Sequence, residues 1–336
     1  MIFRAIWFMK LWIANFTLFL LNAGEDVLVG GQAVFEGVMM RSPRSYSIAV
    51  RKGDGSIAVR KDHLQRPADR KSIWGLPVIR GVSILGQAFT LGIRALKFSS
   101  DQILSSREDK LKSGEPTGSK TTGREMSHWL MTVNILIALG FFILLFKVLP
   151  LLLTSWLKLQ LTSLENRFLF SLVDGMIRMG IFLFYIFLVS RLRDIRRMFE
   201  YHGAEHKVVF TFESHERLSI SNAKKYSTLH PRCGTSFLMV VMLTSMLVYA
   251  FIPFDSFLPK LLSRVVLIPF IAGISYEIIR FAAFRKSRLL NLLTMPGLWL
   301  QRVTTKEPDE GQLEIAIRAL EDALQLEESA PSLATA

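Results

Sequence analysis

The sequence predicts a membrane α-helical bundle of about four transmembrane helices, joined to a small cytoplasmic α+β part that contains a β-hairpin. Two observations carry this. Long, nearly uncharged apolar runs alternate with strongly charged segments along the 336 residues, which is how a membrane protein with extramembrane regions reads. An Asp-Gly pair also links two short β-prone runs in the first quarter of the chain. Bulk hydrophobicity, at 50% of residues, does not separate this class from globular proteins; the clustering does.

The apolar, aromatic stretch at the N-terminus carries Arg4 and Lys10 and is followed at once by Gly24-Glu25-Asp26. No small-residue cleavage site is evident, and residues 1–26 read as an N-terminal extension that forms an interfacial or peripheral helix. Residues 27–104 are assigned to the cytoplasmic part. Ser47–Arg51 and Ser56–Arg60 flank Lys52-Gly53-Asp54-Gly55, where Asp-Gly supplies the positive φ of a tight hairpin turn. Gly30-Gly31 precedes another apolar run, interrupted by Glu36. This sheet looks too small to be a full domain core.

Residues 76–104 read as an amphipathic helix whose polar stripe, Arg80, Gln87, Arg94 and Asp101, recurs every seventh position. Such a helix lies in the membrane interface or packs on the hairpin sheet; the pattern allows both. Residues 105–127 are a polar linker. Spans are then expected at 129–153, 168–190, 235–253 and 263–284, each near the roughly 20 residues that cross a hydrocarbon core. Within them, Asp174 with Arg178, and Glu277 with Arg280, are spaced to pair along one helix. The domain order is therefore 128–190 for two spans, 191–234 for a loop, 235–284 for two more spans, and 285–336 for a C-terminal segment. In that segment Leu313, Ile317, Leu320 and Leu324 share one helical face.

The formal net charge is +13. The basic residues crowd beside the apolar runs, at Arg191, Arg193, Arg196 and Arg197, and again at Arg285, Lys286 and Arg288. The positive-inside rule then puts 24–128, 191–234 and 285–336 in the cytoplasm of a multi-pass protein of the cell (inner) membrane, with the lipid bilayer as its principal partner and a protein partner left open. No nucleic-acid module accompanies the scattered basic residues, and nucleic acid is not expected as a partner. The lone cysteine, Cys233, excludes an internal disulfide.

The chemistry concentrates in 191–234. Tyr201-His202-Gly203-Ala204-Glu205-His206-Lys207 places two imidazoles four residues apart, on one helical face, with Glu205 beside them. This is the H-x-x-E-H spacing in which two histidines hold a divalent metal and the glutamate acts as base. His230-Pro231-Arg232-Cys233-Gly234 closes the same loop, and four of the six histidines lie in it. Imidazole and thiolate are ligands that zinc takes. Two arrangements stay open: a closed site of His202, His206, His230 and Cys233, or a three-ligand site with an open position and Glu205 as general base. Cys233 as a nucleophile with a histidine base, or as a structural thiol at a helix start, are the alternatives. His63, His128 and His215 are set aside.

These segments resemble the YqhQ-like family of polytopic membrane proteins. The resemblance rests on Val29 to Arg41, Arg80-Gly81, Tyr201 to Lys207, His230 to Phe237, Gly273 to Glu277, and Pro296-Gly297-Leu298 with Gln301 to Pro308, and covers about residues 27–325. It implies a metal-dependent enzyme of unspecified reaction, and puts Glu36, Glu277, Glu307 and Arg232 in motif positions as secondary site candidates. Two functions follow: a metal-dependent enzyme, such as a hydrolase, at the cytoplasmic membrane face; or a scaffold or assembly factor with a structural metal. Transport is least favoured, since no pair of broken spans is evident in the sequence.

Overall fold

The computed structural model describes residues 29–64, 76–112, 128–231, 233–284 and 288–329. The N-terminal extension, most of the polar linker, Arg232, Arg285 and Lys286 lie outside the described residues.

Four strands form an antiparallel meander, β1 (Gly30–Val34), β2 (Gly37–Arg41), β3 (Ser45–Arg51) and β4 (Ile57–His63), in the order β1-β2-β3-β4. The β3–β4 hairpin pairs Arg51 with Ile57. Gly55 takes φ +86° in its turn, and the Asp54 carboxylate accepts the Ser56 amide and hydroxyl. Those bonds hold the Asp54 carboxyl below the usual carboxylate range. The expected hairpin is therefore half of a larger sheet. Its other half turns at Phe35-Glu36, where Glu36 adopts φ +52°.

Both faces of the sheet are covered, which is why β2 and β3 are buried almost throughout. Met39, Tyr46, Ile48 and Val50 pack under Leu91 and Ala95 of α1 (Ile79–Lys112). The opposite face presents Ser45, Ser47 and Ala49, all fully buried. Those small residues admit the C-terminal helix α11 (Glu310–Glu328) closely, through its own Ala316, Ala319 and Ala323. The Ser45 hydroxyl donates to the Ala323 carbonyl at 2.6 Å, and Glu327 accepts from the Ser42 hydroxyl and the Arg44 amide. Leu313, Ile317 and Leu320 are buried on the expected face, and Asp309 with Gln312 forms a capping box. The sheet, α11 and α5 (Arg193–Glu213) thus share a hydrophobic core. The sheet that looked too small has a core because helices distant in sequence complete it.

Helix α1 packs on this sheet rather than lying free, and it continues to Lys112, eight residues beyond the expected end. Its first turn meets α9 (Ile268–Phe284), where Gly81 and Gly273 let the two backbones approach; a Cβ on Gly81 would lie 3.0 Å from the Gly273 carbonyl.

The apolar helices follow. α2 (His128–Ile143) runs through a π-helical turn, Leu144–Val148, into α3 (Leu149–Gln160). Pro150 sits at the start of α3. It has no amide hydrogen and its ring crowds the preceding turn, and the widened turn accommodates it. A 3₁₀ turn at Thr162–Glu165 leads into α4 (Arg167–Val189), which is capped by the Asn166 side chain. After α5 come the short α6 (Ile220–Ala223), α7 (Gly234–Ala250), α8 (Phe257–Val266), α9 and α10 (Arg288–Thr304).

Two helical stretches, Leu136–Gln160 and Arg167–Val189, are long and apolar enough to cross a membrane, and only 22% of each apolar window is buried. The expected third span is the 17-residue α7, about 25 Å long at 1.5 Å per residue. The expected fourth is not one helix. It breaks at Leu267 into α8 and α9, which are bent by 47°, and it counts as a span only if the pair is taken together. Large apolar side chains such as Leu159, Phe184, Leu247 and Phe251 face outward, as lipid-facing surfaces do.

Candidate metal centre

Helix α5 carries the motif. Its inward face buries Tyr201, Ala204, Glu205 and Val208, and Gly203 lets the segment after α10 come close, since a Cβ there would sit 2.0 Å from the Lys306 carbonyl. That approach brings the Thr304 carbonyl to the His202 Nδ1, at 2.8 Å. The His206 Nδ1 meets the Thr228 carbonyl. Each imidazole thus has its Nδ1 fixed by a backbone acceptor, which assigns the proton to Nδ1 and leaves Nε2 basic.

Cys233, the N-cap of α7, stands against the His202 imidazole. The His202 Nε2 is 3.2 Å from the Cys233 Sγ. The His206 side chain is almost fully buried, and its Nε2 has no hydrogen-bond partner among the described residues. One ligand atom from each of His202, His206 and Cys233 lies within 4.8 Å of the other two. Two imidazole nitrogens and a sulfur, converging with an orphaned buried lone pair, make a donor set suited to Zn²⁺.

Glu205 completes the arrangement. Its Oε1 accepts the Gly31 amide at 2.9 Å, and its Oε2 lies 3.9 Å from the His202 Nε2 and 4.0 Å from the His206 Nε2. Gly31 must be glycine here. A Cβ would fall 2.8 Å from the Glu205 Cγ and 2.6 Å from the Met39 carbonyl.

The other candidates do not join the three donors. His230 packs its ring 5.6 Å from that of His206 but is outside the converging group: its Nε2 lies 3.4 Å from a Glu213 oxygen, and Gln301 holds its backbone at both the amide (2.7 Å) and the carbonyl (2.9 Å). Glu36 receives two bonds from Arg197 and one from the Tyr201 hydroxyl, so it clamps α5 one turn before the histidines. Burial, with the Glu36 charge, pushes the Tyr201 phenol up, and bonding to Glu36 pushes the Arg197 guanidinium up. Glu277 does not approach the centre. It gives both oxygens to Arg80 of α1, at 2.8 and 2.6 Å, where a pair with Arg280 was expected. Glu307 binds the buried Lys207 ammonium at 2.6 Å. Arg232 is not among the described residues.

The supports that sequence reasoning missed are the Thr228 and Thr304 carbonyls, which carry no side-chain signal, and Gln301, which stood in a noted motif without a role. Beside Thr304, a cavity of about 340 Å³ is lined by Phe187, Ser190, Arg191, Arg196, Val303 and Lys306.

The sequence profile of a family described as "Protein of unknown function (DUF1385)" matches residues 76–326. The chain belongs to the DUF1385 family. The same kinship appears in "Uncharacterized protein YqhQ" of Bacillus subtilis (strain 168), which is 35% identical over 300 residues, covering 89% of this chain and 92% of that protein. No solved structure matches. The DUF1385 match agrees with the resemblance drawn from the motifs; it brings no activity with it.

Proposed function

We propose that the protein is a multi-pass membrane enzyme that holds a divalent metal, zinc by its donor set, through His202, His206 and Cys233 at the cytoplasmic membrane surface. The observation that carries this reading is the convergence of three donors, within 4.8 Å, beside a carboxylate that is not one of them. Two further placements favour an open three-ligand centre over a closed structural one. His230, the expected fourth ligand, is directed to Glu213, and Glu205 Oε2 stands about equally far from both Nε2 atoms. A bound metal would supply Lewis-acid polarisation of a substrate oxygen.

The chain's own residues supply the proton transfer. Gly31 fixes Glu205 Oε1 and so leaves Oε2 to take a proton from water as that water adds to an electrophilic carbonyl or phosphoryl centre. The same oxygen then returns the proton to the leaving group. Hydrolysis is the reaction class this supports. The cavity lined by Val303 and Lys306, which flank Thr304 along the chain, also offers Arg191 and an Arg196 that pairs with Glu200, a basic lining that favours a substrate with an anionic part near the membrane surface. The four-span, positive-inside topology belongs to the same reading: the Lys/Arg-rich segments and the histidine centre share one side.

The test is metal content. Tag-free protein purified in detergent, assayed by elemental mass spectrometry, is expected to carry about one zinc or similar ion per chain. His202→Ala, His206→Ala and Cys233→Ser should each lose it while remaining folded. Folded wild-type protein that takes up no metal on reconstitution would refute the reading.

A further inference from the structure

A second polar centre lies inside the helix bundle, at the ends of α4 and α7 away from the histidines. Lys147, Arg178 and Arg264 are buried there around a single carboxylate, Asp174. Asp174 receives Arg178 through one oxygen and Arg264, at 2.7 Å, through the other. Arg178 also donates to the Ser245 hydroxyl at 2.8 Å, and the Lys147 ammonium to the Tyr249 hydroxyl at 2.8 Å. All three cations sit over the Tyr249 ring, the guanidinium carbons each 4.9 Å and the ammonium nitrogen 5.3 Å from its centroid.

Three cations against one carboxylate leave an excess of positive charge in a low-dielectric setting, where an uncompensated charge costs several kcal/mol. Aromatic faces offset part of that. They do not satisfy donors: the Nε of Arg178 and the Nε of Arg264 are buried without a hydrogen-bond partner among the described residues. Two of the three elements that deliver these cations are irregular at that depth. Lys147 sits in the π-helical turn, and Arg264 lies one turn before the 47° break between α8 and α9. Such departures mark functional positions in membrane helices.

A small cavity of about 20 Å³ reaches Arg264 and Tyr249 from the outer end of the bundle, with Lys158, Arg167 and Lys260 among the side chains of its mouth. The mouth also carries Glu165 and Asp255, so basic groups outnumber acidic ones there too. The volume admits one oxygen-sized atom.

We propose that Arg264, at the floor of this cavity and backed by the charges of Lys147 and Arg178 around Tyr249, forms an anion site that accepts one oxygen of a phosphate group entering from the end of the bundle opposite the histidines. That phosphate is either an anionic phospholipid headgroup or free inorganic phosphate. The remaining phosphate oxygens stay at the mouth, near Lys260. This site is independent of the metal centre and stands or falls without it.

The test uses delipidated full-length protein in micelles of a phosphate-free maltoside detergent and phosphate-free buffer, with its thermal midpoint followed as phosphatidylglycerol or inorganic phosphate is added. The midpoint should rise with at least one of them. Lys260→Gln, at the half-exposed mouth, should raise the half-saturating concentration about tenfold, the value of one charge-assisted hydrogen bond. Lys147→Met should do the same if it folds. A rise with the lipid alone assigns the headgroup; a rise with phosphate alone assigns the free anion. No rise with either, or a rise that Lys260→Gln leaves unchanged, overturns the site.

Discussion

The Gly31 amide donates to Glu205 Oε1 at 2.9 Å, across 174 residues of sequence. This one bond ties the first strand to the motif helix and occupies one of the two carboxylate oxygens. It yields a paired prediction. Gly31→Ala forces a Cβ to within 2.8 Å of the Glu205 side chain and 2.6 Å of a backbone oxygen, whereas a Cβ at Gly30 meets nothing within 4 Å. Gly31→Ala should therefore cost about 1–3 kcal/mol through overpacking, and Gly30→Ala within about 0.5 kcal/mol. Denaturation of the two variants in the same detergent checks this. Equal stabilities would show that the strand does not press on Glu205.

His230 separates the two metal geometries. Its imidazole faces Glu213 and its backbone is clamped by Gln301. His230→Ala should therefore retain the metal that His202→Ala loses. In cobalt-substituted protein, the thiolate-to-cobalt charge-transfer band should persist in His230→Ala and vanish in Cys233→Ser. Loss of metal from His230→Ala in a folded sample would restore the closed four-ligand site.

What the sequence made legible was local. The Asp54-Gly55 turn, the apolar face of Leu313, Ile317 and Leu320, and the four-residue spacing of His202 and His206 each depend on neighbours along the chain. Most of what stayed hidden depends on distant ones. Ser45 and Ser47 interrupt the apolar alternation of β3 and so mask a buried face, yet their small size is what admits α11. Glu277 has a base three residues on, but its carboxylate goes to Arg80, 197 residues away. Pro150 is a local trace of the π-helical turn, but a proline near the end of an apolar run does not by itself tell a widened turn from a span end. The break at Leu267 is followed by Pro269, which has no amide to donate back to Val265; the signal is local, but a proline inside so apolar a run does not interrupt the pattern of one span.

The Arg80–Glu277 pair joins the sheet-packed helix α1 to α9, and both side chains are nearly inaccessible. Glu277→Gln should take the opposing charge from the buried Arg80 guanidinium and destabilise the protein, by up to about 3–5 kcal/mol. Replacing both partners with apolar residues, Arg80→Met with Glu277→Leu, should recover most of that loss. Thermal unfolding of the single and double variants reads the difference. A double variant no more stable than Glu277→Gln would mean that the pair matters through geometry other than its charge.

Glu205 decides between an enzyme and a structural metal protein. As a base, it is needed for its ionisable oxygen, not for holding the metal. Glu205→Gln preserves the carbonyl that accepts the Gly31 amide, and so should keep both the fold and about one metal per chain. It should lower hydrolysis by roughly 10²–10⁴-fold on whichever ester or phosphoester substrate the wild-type protein turns over in a substrate screen. Glu205→Asp keeps the charge and shortens the reach, and should retain part of the rate. A structural centre gives another pattern: no turnover to lose, and a stability that falls with the metal ligands alone. Metal loss in Glu205→Gln would instead make the carboxylate a fourth ligand, for which its present 3.9 and 4.0 Å from the two Nε2 atoms leaves room for an ion in between.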